Sequence, residues 1–313
     1  MNKRQAILSL LDGTQPPTYI PAAFFLHFPP AFHVGQAAVD KHVEYFRYTG
    51  MDLVKIQYER TFPKLPDIQK PEDWVKMPRL GVEYFEGQLM AVEGLVRALK
   101  SEAVVIVTLY SPFMCAGQVT GTDRLVEHLQ RDPEAVKKGM EAVTESLLTF
   151  VRACIKLGVD GFYASTQGGE AGRFDDPGIF DLAIKPYDLT IMNEINAACP
   201  FNILHVCDYA LAYDDFSRFL GYPGHVVNCP LHLGGETLSM QAAAELFQRP
   251  YMGGLERLGI LATGTPEQVR QATEAVLRAA PRQFLLGADC TVPSDTSWDN
   301  LRAAIETAHS WER

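Results

Sequence analysis

Eight short runs rich in β-branched and aromatic residues recur along this chain, with helical patterns between them. The runs fall near Tyr19–Phe25, Asp52–Gln57, Ala103–Tyr110, Gly161–Ser165, Phe201–Cys207, His225–Cys229, Pro250–Leu255 and Phe284–Cys290. The longest helical stretch, Thr122–Leu157, carries a break at Asp132-Pro133 and a stop at Gly158. A second opens at Pro266 behind Thr265, a good N-cap followed by the proline that first turns favour, and Ser297–His309 forms a third. Strands that alternate with helices pair in parallel, and eight such units predict a (β/α)8 TIM barrel. A doubly wound open sheet competes, but it carries a glycine-rich phosphate loop after its first strand, and Phe24-Phe25-Leu26-His27-Phe28-Pro29 is none. No low-complexity segment or composition break interrupts the 313 residues, so one barrel domain over 1–313 is expected.

The balance of 28 basic against 38 acidic residues gives a net charge of −10. This argues against nucleic acid or an anionic membrane as partner, since both need a basic face. No apolar run of membrane-spanning length occurs. The opening Met1–Asp12 has two basic residues and a short apolar patch broken by Ser9, which predicts an amphipathic helix rather than a signal peptide. Six scattered cysteines without a dense framework fit a reducing cytoplasm.

Three residues then single themselves out. His205 and Cys207 stand two apart at the end of the fifth predicted strand, and on a strand residues i and i+2 share a face. Cys290 ends the eighth. Barrel sites gather at the C-terminal ends of strands, so all three would meet at one mouth. One nitrogen and two thiolates make a tetrahedral zinc site with the fourth position open, the hallmark of a catalytic rather than a structural ion. Isolated cysteines are more often small buried hydrophobes, which is how Cys115, Cys154, Cys199 and Cys229 are read.

Several stretches together carry a family likeness: Arg4-Gln5-Ala6-Ile7-Leu8, Leu109-Tyr110-Ser111-Pro112-Phe113, Leu157-Gly158-Val159-Asp160-Gly161, Ile203-Leu204-His205-Val206-Cys207, Gly253-Gly254-Leu255-Glu256-Arg257 and Gly264-Thr265-Pro266-Glu267-Gln268-Val269. In this order the chain resembles the uroporphyrinogen decarboxylase superfamily. Within it, the chain is similar to the zinc-dependent methyltransferases that work with corrinoid proteins, such as those that methylate coenzyme M. The His-x-Cys…Cys pattern of that branch maps onto His205, Cys207 and Cys290. The resemblance implies one zinc per chain, a thiol acceptor bound to it and a methyl group delivered on cobalt. The decarboxylases carry an N-terminal arginine signature for the porphyrinogen carboxylates, yet Ile20–Pro30 has no arginine. Decarboxylation of so anionic a substrate by an acidic protein is therefore disfavoured. The corrinoid would come from a separate protein, because the nearest match to Asp-x-His-x-x-Gly is Asp40-Lys41-His42-Val43-Glu44-Tyr45, with tyrosine for glycine and His42 expected on the solvated face of a helix.

Other polar residues at strand ends are candidate substrate contacts. Tyr110 ends the third predicted strand and Asn228 lies near the end of the sixth. His27 sits in the aromatic loop Phe24–Phe32, whose character points to an apolar substrate such as a methoxylated aromatic. Gln167-Gly168-Gly169-Glu170 suits a mobile substrate loop or an ordinary surface turn. Asp208 can orient a ligand from behind, whereas alternation turns Asp289 away from the face of Cys290. Glu256 and Arg257, after the seventh predicted strand, are read as a salt-bridged pair holding a loop or as a charge pair in the site. Two readings stand: a zinc methyltransferase activating a thiol, or a metal-free lyase or small-molecule-binding barrel with inert cysteines.

Overall fold

The structure, a computed structural model, describes residues 2–14, 19–57 and 59–312. Helices α1 (Lys3–Leu11) and α2 (Gly35–Thr49) precede strand β1 (Leu53–Ile56). Then come α3 (Glu86–Leu99), β2 (Val104–Tyr110), α4 (Pro112–Thr120), α5 (Thr122–Arg131), α6 (Pro133–Leu157) and β3 (Gly161–Thr166). Next are α7 (Gly178–Ala183), α8 (Lys185–Ala198), β4 (Ile203–Val206), β5 (Val226–Asn228) and a small hairpin of β6 (His232–Leu233) and β7 (Glu236–Thr237). The chain closes with α9 (Met240–Phe247), β8 (Tyr251–Leu255), α10 (Ile260–Thr263), α11 (Pro266–Ala279), β9 (Phe284–Ala288) and α12 (Trp298–His309).

Local chemistry explains the boundaries. Asp132 separates α5 from α6, its side chain accepting the Ala135 N–H while Pro133 occupies the first turn. Thr265 and Gln268 form a reciprocal capping box at the start of α11. Strands such as β2 are apolar on both faces and buried, as parallel strands covered by helices must be.

Seven strands form one parallel sheet in the order β1-β2-β3-β4-β5-β8-β9, an α/β, TIM-barrel-like architecture. The first expected strand, Tyr19–Phe25, does not form a continuous ladder and contributes isolated bridges, Ala22 with Leu286 and Leu26 with Val292. Two residues account for this. Pro21 has no N–H to give, and the Ala22 N–H is taken by the Asp52 carboxylate at 2.8 Å. The segment still joins the two edges of the sheet. Ala23 donates to Leu286 O at 3.0 Å and Leu286 to Pro21 O at 2.8 Å, while Asp52 donates to Ala22 O at 2.9 Å. One segment can reach both edges only if the sheet curls.

The aromatic loop corrects another expectation. Phe24, Phe25 and Phe28 are buried in the core rather than lining an opening. His42 does lie on α2, but it is buried against the edge of the Phe28 ring, and its Nδ1 bonds Ala38 O at 2.6 Å. Burial pulls its pKa down to about 4, so it is a neutral core residue and not a solvated one.

Candidate metal centre

Parallel register brings the centre together. Ser165, His205 and Asn228 are Cα partners across β3, β4 and β5, so the three stand at one level of the sheet. Cys207 follows β4, its N–H held by Thr166 O at 3.0 Å. Cys290 follows β9. The ligand atoms of His205, Cys207 and Cys290 all lie within 4.8 Å of one another, and all three residues are buried. His205 Nε2 is 3.3 Å from Cys290 Sγ. A tetrahedral zinc with bonds of about 2.0–2.3 Å would place its donors about 3.5–3.8 Å apart. The imidazole and two thiols therefore suit that ion in donor chemistry, and they lie close enough together to share one.

The supporting residues fix the ligands. His205 Nδ1 lies 3.3 Å from the Asn228 carbonyl, which can only accept, so Nδ1 carries the proton and Nε2 offers its lone pair to the centre. The imidazole stacks on the Tyr163 ring, centroids 4.7 Å apart. Tyr163 in turn donates its hydroxyl to Asn228 Oδ1 at 2.5 Å. The Asn228 amide donates to Met252 O at 2.9 Å and Ala288 O at 3.0 Å, so one buried side chain ties β3, β5, β8 and β9 together. Gln167 Nε2 approaches Cys207 Sγ at 3.6 Å. Cys207 is held below the ordinary thiol range, chiefly by its hydrogen bond with Cys290; the same bond, then burial, pushes Cys290 well above that range.

Around this centre lie the other candidates. Arg257 Nη1 reaches the Asp208 carboxylate at 2.8 Å and Asp289 at 3.4 Å, while Asp289 Oδ1 accepts the N–H groups of Arg257 and Cys290 at 2.7 and 3.0 Å. Asp208 and Asp289 therefore brace the turns that carry Cys207 and Cys290. The expected Glu256–Arg257 pair is not formed, because adjacent residues diverge and Glu256 faces His232 at the surface, 3.1 Å away. Glu170 is fully committed within its own turn: it accepts the Gly168 N–H at 2.7 Å and pairs with Arg173 at 2.6 Å, its side chain wholly buried. With Gly168 at φ +99°, this is a tied-down turn rather than a mobile loop.

Tyr110, His27 and Gln167 meet at an open cavity of about 310 Å³, together with Glu59, Met114 and Gln118. Since Gln167 also touches Cys207, the cavity adjoins the triad.

A family model described as uroporphyrinogen decarboxylase (URO-D) matches residues 48–311. The chain belongs to this family. A methylated-thiol–coenzyme M methyltransferase from Methanosarcina mazei is 23% identical over 221 residues, 69% of this chain and 56% of that protein. The chain thus spans little more than half the length of that curated relative. Among solved structures, a methyltransferase from Methanosarcina mazei superposes with a TM-score of 0.79 at 12% identity, covering 98% of each chain. A B12-independent methionine synthase from Shewanella sp. W3-18-1 gives 0.57 at 10% identity, over 93% of this chain and 97% of that one. At such identities these superpositions speak for the fold.

In this URO-D family member, Lys55, Gln57 and Glu59 escape a reading of strand ends alone. Lys55 is buried, its ammonium bonded to Gln57 Oε1 at 3.0 Å and 4.7 Å from the ring centroids of Phe25 and Tyr163. Burial lowers its pKa to about 7, opposed by its proximity to Cys290, Glu59 and Cys207. A signal was present in Leu53-Val54-Lys55-Ile56-Gln57: polar residues two apart inside a strand share one face, and the same spacing continues to Glu59.

Proposed function

We propose that this chain is a zinc-dependent methyltransferase that activates a thiol acceptor, built as a single (β/α)8 domain over 1–313 in which Ile20–Leu26 completes the ring of staves. The observation that carries the reading is the convergence of His205 Nε2, Cys207 Sγ and Cys290 Sγ within 4.8 Å. His205, Cys207 and Cys290 are the residues that would hold the ion. Zinc bound there supplies the positive charge that keeps an acceptor sulfur deprotonated near neutral pH. The chain does the rest. Asn228 and Tyr163 hold the imidazole, Gln167 holds Cys207, and the Arg257 bridge fixes the turns beside both cysteines. The adjoining cavity positions the acceptor so that its sulfur lone pair takes the methyl group while the donor keeps the bonding pair, near-attack geometry supplying much of the rate. The methyl donor in this reading is a methylated corrinoid carried by a separate protein, in keeping with the family branch the motif resembles.

The acidic surface supports a small-molecule substrate and a protein partner rather than nucleic acid or membrane, and no described helix is long and apolar enough to cross a bilayer. Six free cysteines support a cytoplasmic site of action. The test is elemental analysis of freshly reduced protein, followed by transfer from a methylated corrinoid to a panel of thiols, read by loss of the cobalt–methyl absorption. About one zinc per chain and transfer abolished by Cys207→Ala are expected. Protein without zinc and indifferent to Cys207→Ala, or release of carbon dioxide from a porphyrinogen, would overturn the assignment in favour of a lyase.

A further inference from the structure

The cavity beside the triad has a polarity of its own. Glu59 is mostly buried at its wall, held between two imidazoles, His27 Nδ1 at 3.3 Å and His33 Nδ1 at 3.5 Å. None of the eight described residues that line the cavity is a lysine or an arginine. Burial would raise the Glu59 pKa, but the hydrogen bond from His27 and the charges of His27, His33 and Lys55 outweigh it and hold the carboxyl below its usual range. Lys55, two strand positions from Gln57, is buried under the Phe25 and Tyr163 rings and is no part of the lining. A bound molecule therefore meets a carboxylate and neutral amide or hydroxyl groups, with the half-exposed His27 as the sole basic side chain among those lining residues.

We propose that Glu59 selects the acceptor, favouring small thiols whose far end bears an ammonium or another hydrogen-bond donor and rejecting those that end in a sulfonate or carboxylate. The proposal rests on the cavity being the acceptor site of the function given above. Its physics is simple: a desolvated like charge beside Glu59 is penalised, whereas an ammonium there gains a charge-assisted hydrogen bond. The open cavity of about 310 Å³ has room for a small thiol that runs from Gln167 at the triad to the Glu59–His27 pair. The selected class differs from that of coenzyme M, whose thiol is borne on an ethanesulfonate and which the name of the Methanosarcina mazei relative specifies.

Binding of methylated products separates this proposal from catalysis, because a thioether tests the cavity without any methyl transfer. Calorimetric titration of the zinc-loaded protein, at about pH 8 to discourage imidazole protonation, would compare 2-(methylthio)ethylamine, 2-(methylthio)ethanol and 2-(methylthio)ethanesulfonate. The expected order is ammonium, then alcohol, then sulfonate, with at least about a tenfold gap between the first and last, or about 1.4 kcal/mol. Glu59→Gln should shrink that gap to about threefold or less, and Glu59→Asp should restore part of it. Sulfonate binding as tightly as ammonium, or a gap unchanged in Glu59→Gln with the variant folded by circular dichroism, would overturn the proposal. Ordered binding without methyl transfer to any thiol would leave this selectivity standing and sink the methyltransferase reading instead.

Discussion

Replacing Asn228 by alanine tests whether its buried side chain holds the sheet together beneath the His205–Cys207–Cys290 cluster. The side chain is fully buried and makes three hydrogen bonds, from the Tyr163 hydroxyl and to the carbonyls of Met252 and Ala288. Truncation leaves those three partners inside the sheet without Asn228. A stranded buried polar group costs about 1–3 kcal/mol. Taking about 1 kcal/mol for each carbonyl, which keeps a second lone pair, and about 2 for the hydroxyl gives a loss of about 4 kcal/mol. Asn228→Leu, of similar volume, should lose nearly as much, because the cost lies in the partners and not in a void. Urea denaturation of reduced, metal-free protein measures both. The His205 ring is oriented by the backbone carbonyl of Asn228, so the folded variant should still bind zinc at low temperature. A loss below about 1 kcal/mol, or a leucine variant as stable as wild type, would show that the hydrogen bonds are not what binds these strands.

Arg257→Gln should loosen the turns behind Cys207 and Cys290 and lower zinc affinity about tenfold, the usual scale for a residue supporting ligands; competition with a chromogenic chelator measures it, and unchanged affinity refutes it. Zinc affinity should fall as pH drops, because both thiols must be deprotonated to bind the ion; chelator competition that is flat between about pH 8 and 6 would contradict it. Asp188, buried behind β3 with Oδ1 unpartnered, has its pKa raised to about 7 by burial. Between about pH 4 and that value the native state binds more protons than the unfolded chain, so stability should decline as pH rises through this window. Asp188→Asn should remove that part of the pH dependence, and a denaturation series that runs parallel for both proteins would contradict it.

The alternation of strands and helices was legible because parallel strands buried on both faces leave long apolar runs, and because Asp132-Pro133 and Thr265-Pro266 punctuate helices through their own side chains. The triad was legible for a related reason: its members sit at strand ends, where barrels do their chemistry. Tertiary pairing was harder to see. Tyr19–Phe25 has the composition of a strand, yet the Asp52 carboxylate claims its Ala22 amide, and no local pattern announces a partner thirty residues away. The aromatic loop misled because apolar residues at a predicted mouth can turn inward as readily as outward, and Phe24, Phe25 and Phe28 do. Glu170 looked available until Arg173, three residues on in the same turn, proved to hold it.

The Leu286 contacts with Pro21 and Ala23 have a consequence for how the molecule comes into being. They stitch a segment near the start of the chain to β9, and Cys290 follows β9 directly. A nascent chain that has exposed His205 and Cys207 alone offers only two of the three donors, so the cluster is complete only once Cys290 has emerged and β9 has joined the sheet. Such long-range parallel pairing is slow, because loop closure must precede the contacts that reward it. In the proposed zinc reading, a complete donor set would then report that β9 has docked, and a chain ended before β9 would lack its third donor.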